Sequence, residues 1–444
     1  MALHDSLGLT LSGATAESLD AYERAVSGFQ RFGGDPIGSA NEAIAATPGF
    51  VMAHVLKGYL YALSTEPRAT AVARDIHAIA EPLPTTPREK AHVEALGELA
   101  SGNWHRAGAL LGAISKEHPL DTLALQAGHQ IDYFTGNTAS LRDRIAVALP
   151  AWEEPMPGYH STLGMHAFGL EENGDYAAAE AAGRQAVALE PRNGWAQHAV
   201  AHVMEMQSRQ REGIGWMRAN PDAWSRDSFL QVHNWWHLSL FYYDLGETDA
   251  VLALYDGPIY GARSTMALNM VDASAILWRL FLGGVDAGDR WEPLAWNWLP
   301  FATAGNYAFN DVHAMMAFIG AGRWDVAQTL LDAQQETMKA GDDNAAFTRD
   351  VGHPVARGLY EFGRGNYAEA VRLLEPVRAI ASRFGGSHAQ RDVIDLTLIE
   401  AAIRSGDRGK AAMLTANRLA ARPQSPLSRL FSERAQALSS RSDE

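Results

Sequence analysis

Apolar residues recur along this chain at spacings of three and four, which is the period of one face of an α-helix. A short sequence motif, the glycine phrase, recurs within that pattern: Gly, a polar residue, an aromatic or small residue, and then Ala a few positions on. The phrase begins at Gly102, Gly136, Gly174, Gly246, Gly322, Gly365 and Gly406, at intervals of 34, 38, 72, 76, 43 and 41 residues. It predicts a helix–turn–helix unit, because glycine closes one helix in a left-handed cap and the next residue starts the second helix.

The spacing of the phrase predicts the fold. A period near 34 to 38 residues is typical of tetratricopeptide repeats, whose helical hairpins stack into a superhelix with a concave inner face. No alternating strand pattern bounded by hairpin turns stands out. We therefore expect an all-α, tetratricopeptide-like superhelix (an α-solenoid) of about a dozen hairpin helices or more, without a sheet. We expect residues 1–435 to form one array and residues 436–444 to form a flexible tail.

Composition narrows the possible partners. The formal charge is −15, from 37 basic and 52 acidic residues, so we expect no nucleic acid partner. The absence of cysteine excludes disulfides, thiolate catalysis and Cys-ligated metals. The first residues lack the basic and apolar regions of a signal peptide, and no apolar run is long enough for a membrane span. We therefore expect a cytoplasmic protein that does not bind a membrane.

Two histidine pairs are the main candidate chemistry. His198 and His202 in "WAQHAVAHVMEM", with Glu205, share a helical face within a sector of roughly 60°. His233 and His237 in "QVHNWWHLSL" share a face in the same way. If the two helices converge, these five residues could form a catalytic centre and ligate a divalent metal such as zinc, manganese or iron. The alternatives are a buried, hydrogen-bonded polar cluster without metal, or histidines scattered over the surface.

Three later stretches carry charged and polar residues. "FNDVHAM" supplies Asn310, Asp311 and His313, "TRDVGHP" supplies Arg349 and Asp350, and "AQRDVIDL" supplies Arg391 and Asp392. The two Arg–Asp dipeptides are 42 residues apart, about one repeat, so stacking predicts one buried or half-buried network that closes an end of the pocket near His313. One interpretation is a set of ion pairs between helix layers. The other is a guanidinium fork that holds a substrate carboxylate or phosphate.

Several of these stretches together resemble the tetratricopeptide repeat protein 38 family. The resemblance runs nearly end to end and is most specific in "AVAHVMEM", "HNWWHLSL", "FNDVHAMM", "TRDVGHP" and "GGSHAQRDV". The family implies a tetratricopeptide-like superhelix and a polar site, without a settled reaction. Matching positions are His129, His198, His202, Glu205, His233, Asn234, Trp236, His237, Asn310, Asp311, His313, Arg349, Asp350, Gln390, Arg391 and Asp392. His160, His166, His353 and His388 lie outside the predicted site.

Two functions remain open from the sequence. The first is a small-molecule enzyme, in which a bound metal lowers the pKa of water for hydrolysis or a histidine acts as a general base. The residues expected to bind its substrate are His129, Asn234, Trp236, Asn310, Asp311, His313, Arg349, Asp350, Arg391 and Asp392. The second is a non-catalytic scaffold that binds a peptide or protein in its groove. A closed pocket centred on the histidines would favour the enzyme, whereas an open groove lined by small and basic residues would favour the scaffold.

Overall fold

The computed structural model describes residues 3–440, and its regular structure is almost entirely α-helical. The predicted all-α class of tetratricopeptide-like helical hairpins is confirmed. Within the described residues, the strands are β1 (Leu3–His4) and β2 (Thr10–Leu11), which form one short antiparallel pair. No helix in residues 3–440 combines the length and the apolar character that a membrane crossing requires.

The chain divides into two compact units. The first holds the residues up to Val200 together with Pro221–Gln231, and the second holds Ala201–Asn220 together with the residues from Val232 onward. The single array expected over residues 1–435 stays a prediction. The last helix continues through Ser440, and residues 441–444 of the expected tail lie outside the described residues.

The first unit is built from consecutive helical hairpins, in which each odd-numbered helix packs against the next even-numbered one. Its helices are α1 (Ala16–Arg31), α2 (Pro36–Ala46), α3 (Val51–Ala62), α4 (Pro67–Ala80), α5 (Pro87–Ala100), α6 (Trp104–Glu117), α7 (Thr122–Phe134), α8 (Thr138–Ala148), α9 (Tyr159–Glu171) and α10 (Tyr176–Leu189). A 3₁₀ turn, Leu149–Ala151, follows α8.

The next four helices lie where the chain passes between the units. They are α11 (Gly194–Met206), α12 (Gln210–Ala219), α13 (Pro221–Ser225) and α14 (Gln231–Asp244). The division falls after Val200, inside the continuous helix α11. The second half of α11 and nearly all of α14 therefore belong to the second unit.

The rest of the second unit again consists of paired helices. They are α15 (Thr248–Leu254), α16 (Ala267–Leu282), α17 (Trp291–Trp298), α18 (Ala308–Gly320), α19 (Trp324–Thr337), α20 (Asp343–Phe347), α21 (His353–Gly363), α22 (Tyr367–Leu374), α23 (His388–Arg404), α24 (Arg408–Ala421) and α25 (Pro426–Ser440). Turns of 3₁₀ helix span Gly288–Arg290, Leu299–Phe301 and Glu375–Phe384, and π-helical turns span Tyr255–Ile259 and Thr348–Gly352. Helix α16 packs against both α18 and α23 and is buried on nearly every side.

The repeated glycine phrase forms the turns it predicts. All seven glycines have positive φ angles, between 65° and 90°. At Gly174 the chain leaves α9 through a left-handed cap, and the N–H of Asp175 donates to the carbonyl of Leu170 at 3.0 Å. The Asp175 carboxylate then accepts from the N–H of Ala178 and starts α10. Ala179 is fully buried, so a small residue is needed where the paired helices pack.

Replacing two exposed glycines of the second unit by alanine should change its stability in opposite directions. Gly406 has φ +73°, so Gly406→Ala should lower the free energy of unfolding by about 1 kcal/mol, since a Cβ is strained in the left-handed region. Gly215 lies inside α12 with open space around it, so Gly215→Ala should raise stability by roughly 0.5–1 kcal/mol. Urea unfolding followed by circular dichroism measures both, and shifts of the same sign would contradict the cap.

Candidate functional site

Helices α11 and α14 bring three histidines of the second unit together. His202 lies in the second half of α11, and His233 and His237 lie one turn apart on α14. All three are buried, with His202 and His237 fully so. Helix α14 is buried around most of its circumference because the residues from Leu238 to Tyr242 are mainly apolar or aromatic. Its histidines therefore lie in the interior of the unit.

The three rings are close enough to share one ion. Each of His202, His233 and His237 offers a ring nitrogen, and these nitrogens lie within 4.8 Å of one another. The centroid of the His237 ring is 4.4 Å from that of His202 and 4.9 Å from that of His233. Zn–N bonds of 2.0–2.1 Å in a tetrahedron place nitrogens about 3.3 Å apart, which small rotations of the rings can reach.

Two carboxylates hold the rings of α14. The Nδ1 atom of His233 lies 3.0 and 2.9 Å from the two oxygens of Asp272, which is fully buried on α16. The Nδ1 atom of His237 lies 3.3 Å from a carboxylate oxygen of Glu205. A carboxylate at Nδ1 fixes the tautomer and leaves Nε2 as the metal-binding atom. The hydrogen bonds from Asp272 orient the His233 ring before any ion binds, whereas Glu205 only approaches the His237 ring.

Burial keeps the cluster in the form that metals bind. It lowers the pKa of His202 and of His237 well below the usual value, and the neighbouring histidines lower both further. Arg391 also contributes to the low pKa of His202, so the structure brings this predicted residue within electrostatic reach of the cluster. Neutral imidazole is the ligating form, and therefore no proton needs to be displaced from these rings at neutral pH.

His198 lies one turn before His202 on the same continuous helix, in the part of α11 that belongs to the first unit. Its ring packs against Trp195 at 4.8 Å and Phe168 at 5.1 Å between centroids. His129, on α7 of the same unit, is fully buried and meets Phe168 and Trp195 edge-on. The first unit thus places these two predicted residues on one aromatic cluster.

Two further predicted residues of α14 are buried beside the histidines. Trp236 is fully buried and its ring is nearly parallel to that of His233, with centroids 5.3 Å apart. The guanidinium of Arg279, on α16, lies over the Trp236 ring, with its Cζ atom 5.4 Å from the ring centroid. Asn234 is also fully buried on α14. Trp236 therefore contacts both a buried histidine and a buried arginine.

A small cleft, with a cavity volume of about 20 Å³, lies next to the histidines within the second unit. Glu205 belongs to both places, since its carboxylate contacts His237 and also lines the cleft. Asp392 accepts two hydrogen bonds from Arg418, at 2.6 and 3.0 Å. Burial opposes the charge of Asp392, but the Arg418 and Arg422 guanidinium groups hold the pKa of this carboxyl below its usual range. The predicted site residue Asp392 thus lines the cleft as a charged carboxylate that is paired with Arg418.

The two Arg–Asp dipeptides do not have the common buried environment that their spacing predicts. The Arg349 side chain is 56% exposed, and Asp350 pairs with it at 3.5 Å and with Arg383 at 3.3 Å. Arg391 donates to the carbonyl of Gly386, while Asp392 pairs with Arg418 from α24. The expectation of one buried network is wrong, because the π-helical turn at Thr348–Gly352 places Arg349 at the surface.

The group on α18 is buried. Asn310, Asp311 and His313 are each at most 4% exposed. The Nδ1–H group of His313 donates to the Phe309 carbonyl at 2.8 Å, and burial lowers the pKa of His313 to about 4. Burial raises the pKa of Asp311 to about 7, and the Gln334 amide at 3.4 Å opposes this shift only weakly.

Sequence reasoning missed four residues at the centre and the cleft: Asp272, Arg279, Arg418 and Arg422. Two of them, Asp272 and Arg279, could have been predicted from the sequence pattern around them. Asp272 and Arg279 are seven residues apart on the apolar stretch "ALNMVDASAILWRLFL", so they share a face of a helix that is otherwise buried. Charged residues of this kind need partners inside the protein.

Comparison with known proteins adds little to this description. No protein-family model matches the chain. The chain is similar to the human IFIT1 dimer solved with m7Gppp-AAAA, at 14% identity over 95% of each chain and a TM-score of 0.41. It is also similar to yeast Tom70, at 13% identity over 91% of this chain and 85% of that chain, with a TM-score of 0.35. These scores carry no conclusion about binding, and the fold assignment rests on the helices of this chain.

The two aspartates of the Arg–Asp dipeptides should differ in their contribution to stability. Asp392→Asn should lower the free energy of unfolding by about 3 kcal/mol, because it leaves the buried Arg418 without its charged partner. Asp350→Asn is the matched control and should cost less than about 1 kcal/mol, since its pairs are solvent-exposed. Denaturant titration at pH 7 measures both variants, and equal losses would contradict this assignment.

Asp311→Asn should remove part of the pH dependence of stability. The folded pKa of about 7 lies above the unfolded value near 4, so the folded state retains a proton that the unfolded chain has released between these values. The contribution is fully present below about pH 4 and is lost as the pH rises through about 7, at up to about 1.4 kcal/mol per pH unit. Urea midpoints at pH 5, 6, 7 and 8 should fall less for Asp311→Asn than for the parent. Asp332→Asn, at an exposed position, should follow the parent, and a parallel decline in all three proteins would refute the prediction.

Proposed function

We propose that the second unit binds a divalent transition metal through His202, His233 and His237, and that the chain is a metal-dependent hydrolase of a small molecule. The observation that carries the proposal is the convergence of three buried imidazoles, one of which is held at Nδ1 by both oxygens of Asp272. A histidine ligand is typically held in this way by a carboxylate. The ligand role that the sequence predicts for His198 stays a prediction.

A buried histidine of the first unit, His92, is an example of the alternative to metal binding, in which a histidine only forms hydrogen bonds within the protein. The Nδ1 atom of His92 lies 3.1 Å from the hydroxyl of Tyr59, and its Nε2 atom lies 3.0 Å from Asp121. Both ring nitrogens of His92 therefore contact protein groups, and neither is left for a metal. Asp121 also accepts a hydrogen bond from Arg88 at 2.6 Å. His233 differs because the carboxylate is at Nδ1 and the ring faces other imidazoles. This contrast supports a ligand role for the cluster of the second unit.

The donor set favours zinc or iron over manganese. Three imidazoles converge, whereas Glu205 lies against Nδ1 of His237 and acts there as an orienting group. Imidazole suits zinc and iron, and manganese prefers carboxylate and water oxygens. Three protein ligands and an open position are the arrangement of catalytic zinc sites, in which the metal lowers the pKa of bound water. In this chain Glu205 and Asp272 would hold the ligands, and the cleft beside Glu205 would admit the substrate.

We also propose kinship with the tetratricopeptide repeat protein 38 family. Its motif residues on α11 and α14, including Asn234 and Trp236, are buried around the cluster, which supports a role in one site. The roles of Asn310, Asp311, His313, Arg349, Asp350 and Arg391 in substrate binding stay predictions. Location in the cytoplasm and the absence of a nucleic acid partner also stay predictions, based on composition.

A scaffold function has one observation in its favour. The first unit carries a groove of about 1180 Å³ beside α6, α7 and α8, lined by small residues such as Gly108, Ala109 and Gly112 and by Lys116 and Arg144. An open groove of this composition is suited to an extended peptide. The metal experiment separates the two functions, since a chain that takes up no metal would leave peptide binding in this groove as the better proposal.

Metal loading should depend on the cluster and on Asp272. Isothermal titration of the chelator-treated chain with Zn²⁺ should show one tight site, and a Co²⁺-loaded sample should show the absorption of a tetrahedral ion. His233→Gln should abolish the site, and Asp272→Asn should weaken it by roughly 10- to 100-fold. His353→Gln, a half-buried histidine of the same unit outside the cluster, is the control and should bind as the parent does.

Turnover is tested separately with the loaded chain. The zinc-loaded parent should hydrolyse p-nitrophenyl esters or phosphates faster than the chelated chain, and His233→Gln should not. Absence of zinc binding by the parent refutes the metal centre. If the parent binds zinc tightly but hydrolyses neither the esters nor the phosphates, the hydrolase is refuted. The metal would then have a structural role.

A further inference from the structure

The cleft of the second unit holds three guanidinium groups around one small space. Arg279 is 98% buried and donates to two backbone carbonyls, of Ala275 at 3.0 Å and of Ala389 at 2.6 Å. Within residues 3–440, no carboxylate lies within ion-pair distance of it. Burial lowers the pKa of Arg279, which reflects the cost of a charge with no direct counter-ion.

The other two arginines retain unused donors. Arg418 uses two nitrogens on Asp392, and its buried Nε has no hydrogen-bond partner in the part of the chain that the structure describes. Arg422 lies 3.8 Å from Asp392 and 3.9 Å from Glu205, which is too far for hydrogen bonds. Its guanidinium donates a weak hydrogen bond to the sulfur of Met206 at 3.5 Å.

Two of the three carboxylates that line the cleft, Asp392 and Asp244, already accept hydrogen bonds through both oxygens. Both oxygens of Asp392 accept from Arg418. Asp244 accepts from the hydroxyl of Ser425 at 2.5 Å through one oxygen and from the amide of Gln210 through the other. Glu205 faces His237 with one oxygen. The guanidinium groups of Arg279 and Arg422 therefore face a space with too few acceptors, and an anion that enters it would supply them.

We propose that this cleft binds the oxyanion of the substrate, a carboxylate or a phosphate, through Arg279, Arg422 and the Nε atom of Arg418. Planar guanidinium groups match both kinds of oxyanion with paired hydrogen bonds. The inference rests on the proposed function and names its substrate class, a small anionic molecule. Two contacts connect the cleft to the histidines: Glu205 lies in both places, and Arg279 covers Trp236, which stacks on His233.

The test uses the full chain stripped of metal with a chelator. Inorganic phosphate and succinate are titrated separately by calorimetry and by thermal unfolding, against sodium chloride of equal ionic strength. At least one anion should bind saturably and raise the melting temperature beyond the chloride control. Arg422→Gln should weaken that binding roughly tenfold or more, because a charge-assisted pair of hydrogen bonds is lost. Arg422→Lys should restore only part of it, since Lys lacks the planar fork.

The matched control is Arg372→Gln, at a surface arginine of the same unit that is 66% exposed and pairs with Glu369. It should bind the anion as the parent does. Binding of phosphate alone, of succinate alone or of both supports the oxyanion site and tells which substrate group it takes. Failure of both anions to exceed chloride, or equal binding by Arg422→Gln and the parent, refutes it. Because no metal is present, these results are independent of the zinc titration, so either proposal can fail without the other.

Discussion

The structure depends on the pairing of charges inside layers of packed helices. Helix α16 is buried on nearly every side, and it nevertheless carries Asp272, whose carboxylate is fully buried. An ionised carboxylate in such a place is costly unless it is hydrogen-bonded. His233 meets that need by placing Nδ1 within 3.0 Å of both oxygens. This one contact fixes α14 against α16 and turns the His233 ring toward the other imidazoles.

The same requirement joins the histidines to the cleft. A carboxylate oxygen of Glu205 lies 3.3 Å from Nδ1 of His237, and the same side chain borders the space in which Arg418 pairs with Asp392. Trp236 contacts both side chains, since it stacks on the His233 ring and lies under the guanidinium of Arg279. Removing one charged group would therefore leave another without a partner. Polar groups coupled in this way stabilise the fold by more than the sum of the single contacts suggests. A metal at the histidines and an anion in the cleft would each complete part of this network.

Much of the fold could be read from local pattern, whereas the site could be read only in part. The glycine phrase predicted its turns because a left-handed cap depends on a few adjacent residues, as at Gly174 and Asp175. The shared faces of His198 with His202 and of His233 with His237 followed from helical geometry. Asp272 and Arg279 were missed because their partners lie on other helices, although two charges on an apolar helix were a usable signal.

The sequence by itself determined the helices, their caps and which side chains share a face, because these depend on neighbours within a turn or two. Only the tertiary structure decided which charges are buried and with what they pair. Two identical Arg–Asp dipeptides show the difference: Asp350 lies beside exposed arginines, and Asp392 lies in a buried fork with Arg418. Burial is set by the packing of distant helices, and burial is what turns a surface ion pair of little consequence into a constraint on the whole site.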